Sequence, residues 1–244
     1  MKYNEWLKNI KGYTNKTIEV YSKYANELIE LNLDYKKGIE KYSNHANSTK
    51  RLVLSAFKSY LNFVKDDRAV EIELPKRNEV VKGFVTYSEY KEYLLNINKR
   101  NKTGFQKYLI IRILFETGIR SSELLGIKKE DLRDTKIVIH GKGNKERYVG
   151  VSEWLWSDIE EYINKLEGEL LFNFTYKNLY SKIRRIDTSR TLTPHMFRHG
   201  YAKHCNNKGI SIYDISLSMG HKSIDTTASY VRKNSYDVSI ETIF

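Results

Sequence analysis

The stretch MGHKSIDTTASYV, residues 219–231, decides how this chain is read. It sets His221 directly after a glycine and Tyr230 nine residues later. The chain holds 19 tyrosines, so a tyrosine here is by default a packed aromatic. It can instead be a nucleophile. A phenol with a pKa of about 10 then needs positioning, a proton acceptor and charge stabilisation from other parts of the chain. Working outward from this stretch is a search for those partners.

The 244 residues are 40% hydrophobic and 30% charged, an ordinary globular composition long enough for one large domain or two small ones. No apolar run approaches the roughly 20 residues that span a bilayer, and the first residues lack the apolar core of a signal peptide. A cytoplasmic protein with no membrane partner is the expectation. The single cysteine, Cys205, allows neither an intramolecular disulfide nor a cysteine zinc site, and reads as a small buried residue on a helix. Formal net charge is +12, the footprint of a polyanionic partner. The excess is shared, +5 over residues 1–84 and +7 over the remainder, so both halves are expected to touch that partner.

Periodicity organises the chain. Residues 14–31 place Ile18, Tyr21, Ala25, Leu28 and Leu31 on one face, with Thr14 or Asn15 as cap. Residues 48–64 repeat the pattern through Leu52, Ala56, Tyr60 and Phe63, with Ser48 as cap. A charged stretch with Pro75 and no helical stripe follows. The expected organisation is a helical domain over 1–72, a linker over 73–84 and a second domain over 85–244. Helices are expected from Thr86 or Ser88, through the apolar run ending at Gly118, and again from RSSELLGI. KIVIHGKGNKERYVGV, residues 136–151, alternates about a Gly-Lys-Gly-Asn tip and reads as a β-hairpin. Residues 193–209 start at Thr193 and Pro194 and stop at Gly209, a capped helix.

Six positions stand out when taken together. Arg120 lies in TGIRSSELLGI, Lys142 at the hairpin tip, and His195 and Arg198 one turn apart in TPHMFRHGYA; His221 and Tyr230 complete the set. Taken singly, each has an ordinary role: a surface arginine, a turn lysine, a helix-start histidine, a core aromatic. His195 and His199 are spaced as helical metal ligands, but the residues between them are Met-Phe-Arg and supply no glutamate for zinc chemistry. No metal or other cofactor is expected.

In this order and spacing, TGIRSSELLGI, GKGNKER, TPHMFRHGYA and MGHKSIDTTASYV resemble the boxes of the tyrosine recombinase (phage integrase) family, most closely its Xer-type members. The match spans about residues 84–232; Met219 stands where the family usually has leucine. The resemblance implies a mainly α fold with a small β-sheet or hairpin, in two domains: an N-terminal helical core-binding domain and a mixed α/β catalytic domain. It implies a site-specific DNA recombinase that cleaves and rejoins DNA through a 3′-phosphotyrosyl link and a Holliday junction. Tyr230 is then the nucleophile. Arg120 and Arg198 are the planar donors that meet phosphate charge, Lys142 the acid for the 5′-oxygen, His195 the group that assists the tyrosine as proton acceptor, and His221 a hydrogen-bond partner of a phosphate oxygen. Glu123, three residues after Arg120, would hold the arginine or a histidine in place.

The expected partner is a double-stranded recombination site, bound by a tetramer across two sites, with a second recombinase or accessory protein as a further possibility. Phosphate contacts are expected from Lys16, Lys50, Arg51, Lys58, Lys145, Arg147, Lys182, Arg184 and Arg185. The segment 232–244, with Val238, Ile240, Ile243 and Phe244, is expected to dock on a neighbouring subunit or on its own domain. Two other readings stay open at this point: a type IB topoisomerase-like nicking-closing enzyme, and a DNA binder that does not cut.

Overall fold

The computed structural model describes residues 1–76, 83–141, 145–187, 189–221, 223 and 226–228. Chain contacts divide the protein into two compact units, Met1–Val80 and Val81–Phe244.

The first unit is helical: α1 (Tyr3–Asn9), α2 (Asn15–Glu30), α3 (Tyr35–Lys41) and α4 (Asn47–Phe63), followed by a 3₁₀ turn over Asp67–Glu71. Thr14 caps α2 by accepting from Thr17 N–H. Expectation and structure differ in α4. Its cap position is Ala46, so Ser48 is not the cap. Its buried residues are Val53, Leu54, Ala56, Phe57 and Leu61, while Leu52 is 40% exposed. The apolar stripe is turned by about one residue from the expected one because Leu28, Tyr35 and Ile72 pack on the 53–57–61 side. Gly38 lets α3 approach α4: a Cβ there would lie 2.3 Å from Phe57 Cε2. Helices α1 and α3 escape a period search because seven residues barely make two turns. Leu74 packs against this unit's core beside Ile72, so the stretch expected as linker, 73–84, begins against the first unit.

The second unit contains α5 (Tyr87–Asn96), α6 (Lys102–Thr117), α7 (Ser121–Leu124), strands β1 (Leu132–Arg133), β2 (Lys136–Gly141) and β3 (Lys145–Gly150), then α8 (Glu153–Asn164), α9 (Tyr176–Arg184), α10 (Pro194–Asn207) and α11 (Ile212–Met219). Helix α6 is apolar on most sides, with Leu109, Ile110, Ile111, Ile113, Leu114 and Phe115 all buried. It therefore forms the centre, with α8, α9 and α10 against it. It ends at Gly118, whose φ of 62° is left-handed. A Cβ there would also lie 2.3 Å from Tyr201 Cδ1, so glycine is required twice over. The chain then turns at once into α7, placing Arg120 at its N-cap.

The strands form an antiparallel sheet in the order β1-β2-β3. Ile137 pairs with Val149, Ile139 with Arg147 and Gly141 with Lys145. Strand alternation puts Arg147 in phase with buried Val149, on the core side of the hairpin. Among the described residues, no helix is long and apolar enough to cross a membrane.

Candidate active site

The site is built on the C-terminal end of α11. The last carbonyls of a helix lack intrahelical partners and carry the negative end of its dipole. Here three guanidinium groups from three elements meet them. Arg147 Nε on β3 donates to Ser218 O at 3.0 Å, Arg198 Nη2 on α10 to Met219 O at 3.0 Å, and Arg120 Nη2 before α7 to Gly220 O at 2.8 Å. Gly220 takes a φ of 65°, and a Cβ on it would lie 2.9 Å from Arg147 Nη1. Only glycine lets the arginine lie across this turn.

Glu123 ties the arginines together. Its side chain is 7% exposed. It accepts from Arg120 N–H at 2.7 Å, Arg120 Nη1 at 2.8 Å, Arg147 Nη1 at 3.0 Å and Arg147 Nη2 at 2.9 Å. Burial alone would raise its pKa, but the hydrogen bonds and charges of Arg147 and Arg120 outweigh that and hold it at about 2. The i,i+3 spacing that suggested a supporting role for Glu123 also lets its carboxylate accept from the Arg120 backbone N–H at the start of α7, one half of a capping box.

Arg198 is 2% exposed. Besides Met219 O it donates to Gly118 O, the carbonyl left by the left-handed end of α6, and through Nη2 to His221 Nε2 at 2.6 Å. A guanidinium has no acceptor, so His221 Nε2 accepts and the neutral ring keeps its proton on Nδ1. Nδ1 lies 2.7 Å from Thr227 Oγ1, and Thr227 is fully buried. Burial lowers the His221 pKa, and the charges of Arg198, Arg120 and Arg147 lower it further, to about 4. Arg120, Arg198 and His221 are therefore brought together.

His195 is exposed on the first turn of α10, three residues before Arg198, with its ring centroid 6.4 Å from that of His199. Lys142 and Tyr230 lie outside the described residues. Two contributors escaped the sequence reading. Thr227 had a signal in its two-threonine run beside His221, whereas the carbonyls of Gly118, Ser218, Met219 and Gly220 have no side-chain signature at all.

The basic candidates fall into groups. Lys16, Arg184 and Arg185 are exposed, and Lys50 is half-buried. Arg51 Nη1 donates to Pro75 O at 2.7 Å and Lys58 Nζ to Ile72 O at 3.0 Å, so both fasten the chain after the 3₁₀ turn. Lys182 lies over the Phe174 ring at 4.6 Å. Its pKa is lowered by burial and then by Lys107 and Arg185, a cluster of like charge that an anion would relieve. Lys145 stands opposite Gly141 at the end of the hairpin register. Arg147, also expected at phosphate, has its side chain turned into the protein. Its guanidinium hydrogen bonds run inward, to Glu123 and Ser218, and it is only 18% exposed.

One further histidine braces the hairpin. His140 on β2 sets Nε2 2.7 Å from Asp131 Oδ1 and Nδ1 3.1 Å from Glu146 Oε1 on β3. Asp131 is the main cause of its raised pKa, with Glu146 adding to it. Because the folded value is raised, this stabilisation is complete below the unfolded value of about 6.5 and is lost as pH rises through the folded one. The stability difference between the protein and His140→Asn, measured in thermal melts, is expected to be larger at about pH 6 than at about pH 8. An equal difference at both would show that the brace does not depend on the proton.

Residues 84–236 match the phage integrase family model. A tyrosine recombinase XerC of Lactobacillus delbrueckii subsp. bulgaricus is 26% identical over 98% of this chain and 96% of its own length. A tyrosine recombinase XerA of Thermococcus kodakarensis is 28% identical over 92% of this chain and 87% of its own. Among solved structures, a XerH recombinase bound to its difH substrate superposes with a TM-score of 0.65 at 23% identity, covering 81% of this chain and 65% of that one. A lambda integrase dimer bound to a core site superposes with a TM-score of 0.70 at 15% identity, covering 97% and 77%. The chain belongs to the phage integrase family. Within it the protein is Xer-like, a tyrosine site-specific recombinase acting on DNA. The topoisomerase-like and non-cutting readings are not favoured by these relatives.

Proposed function

We propose that Tyr230 attacks the scissile phosphorus, that Arg120 and Arg198 hold the phosphate, and that the product is a 3′-phosphotyrosyl link. The observation that carries this reading is the α11 terminus, where backbone carbonyls and Glu123 orient two guanidinium groups before any DNA arrives. With Arg147 the cluster gathers three guanidinium groups around the Glu123 carboxylate and the α11 carbonyls, a set of cationic donors suited to an anion. As the tyrosyl oxygen bonds to phosphorus, the bond to the 5′-oxygen breaks and negative charge grows on the non-bridging oxygens. Donors already in place meet that charge without reorganising. The 5′-oxygen takes its proton from Lys142, and His195 assists the tyrosyl proton's departure.

His221 joins when Arg198 turns Nη2 from the imidazole to the phosphate. An arriving anion offsets the guanidinium charges that keep the ring neutral, so Nε2 can gain a proton and donate to a phosphate oxygen. Rejoining is the reverse step, with a 5′-hydroxyl from the partner site attacking the phosphotyrosine.

The complete reaction would use four subunits on two sites in the cytoplasm, with or without a second recombinase or accessory protein. Residues 232–244 would dock on a neighbouring subunit. A hollow of about 640 Å³ in the second unit, walled by Tyr87, Tyr90, Phe115, Trp154 and Tyr201, is a suitable receptor for Val238, Ile240, Ile243 and Phe244.

The deciding experiment incubates the protein and Tyr230→Phe with nicked suicide DNA carrying a site recovered from fragments that the protein binds, with chelator present. A protein–DNA adduct that survives denaturation is expected, and is expected to vanish in the variant. No adduct on DNA that is demonstrably bound, or an adduct that persists without Tyr230, overturns the assignment.

A further inference from the structure

Arg147 is spent inside the protein in an unusual way. Its three nitrogens reach Glu123 twice and Ser218 O once. Glu123 in turn holds both the backbone N–H and the guanidinium of Arg120. Ser218 sits two residues before Gly220, whose carbonyl holds the other end of Arg120. Arg147 therefore holds one support of Arg120 directly, Glu123, and the other through the turn that carries Gly220 O, and its own side chain is only 18% exposed. Without Arg147, Glu123 would lose a bidentate partner that fixes its plane. One arginine would then face a carboxylate free to rotate, on a helix end released on one side.

We infer that Arg147 is a positioning residue for DNA cleavage, acting through Glu123 and the Ser218 carbonyl to aim Arg120 at the scissile phosphate, and is not a DNA phosphate contact. This rests on the reading that Arg120 meets that phosphate. The two roles differ in what they predict. A phosphate contact contributes affinity that salt weakens, about one unit of the salt slope per contact. A positioning residue leaves affinity alone and costs rate, because a misplacement of about 1 Å at a reacting centre is worth on the order of 10²-fold.

The test uses the full chain as Arg147→Met, Arg147→Lys and Arg120→Ala, with circular dichroism melts run beside each. Two substrates are compared in single-turnover cleavage: the ordinary suicide site, and one whose scissile phosphate carries a methyl in place of a non-bridging oxygen. The methylphosphonate has no charge for Arg120 to meet. Arg147→Met is expected to bind DNA with unchanged affinity and salt slope and to cleave the ordinary site about 100-fold more slowly. On the methylphosphonate its deficit should shrink to a few-fold, as for Arg120→Ala. Arg147→Lys, which keeps charge but not the planar fork, should fall between.

A salt slope reduced by about one unit with weaker binding would make Arg147 a phosphate contact and overturn the inference. An equal deficit on both substrates would do so too, since it would show that Arg147 does not act through Arg120. If Arg147→Met melts below the assay temperature, the substrate ratio for Arg147→Lys decides alone. Normal cleavage by Arg120→Ala would instead sink the underlying reading of the phosphate clamp.

Discussion

Arg198→Ala is expected to lower covalent adduct formation by about 10³-fold, the scale seen when a preorganised donor to a developing oxyanion or phosphoryl charge is removed. The reason is more than one lost charge. Arg198 holds Gly118 O, Met219 O and His221 Nε2 at the same time, and it is 2% exposed. Removing it strands buried carbonyls at the ends of two helices, each costing roughly 1–3 kcal/mol. The variant should therefore also melt at a lower temperature. The two effects separate if cleavage is measured well below the melting point. Arg198→Lys should recover part of the stability and little of the rate, because an ammonium cannot hold two carbonyls and present a planar fork. A variant that is well folded and cleaves within about tenfold of the original would remove Arg198 from the reaction.

Glu123→Ala is the second large change. The carboxyl is 7% exposed and receives four hydrogen bonds from two arginines. Its pKa is lowered from 4.5 to about 2, which corresponds to about 3 kcal/mol of stability. That stabilisation is full above the unfolded value of 4.5 and drains as pH falls through about 2. Urea melts should thus show Glu123→Ala less stable than the original protein by about 3 kcal/mol at neutral pH, with the gap closing toward pH 2. Cleavage should fall by on the order of 10²-fold, since Arg120 loses its anchor. A gap independent of pH would show that Glu123 contributes packing and not an ion pair.

Much of this was legible in the linear chain. Thr86 with Glu89, Gly118 after α6 and Pro194 at the start of α10 are local signals, because caps and turns depend on neighbours within four residues. The order of the boxes was legible for the same reason, each being a short contiguous string. Glu123 could be singled out because its partner Arg120 is three residues away on the same turn. Even the inward direction of Arg147 left a trace, since it alternates in phase with Val149.

Other features needed the folded molecule. The buried side of α4 is set by Leu28, Tyr35 and Ile72, which approach from elsewhere in the first unit, and a stripe read by period alone came out about one residue off. The meeting of Arg120 with Gly220, 100 residues apart, is invisible in sequence because the acceptor is a backbone carbonyl, which every residue has. What the chain determined by itself was which cationic side chains are available to build the site. Only the tertiary structure decided where Arg120, Arg198 and Arg147 point, because the unpaired carbonyls at the end of α11 become their partners once α7, β3 and α10 have packed around it.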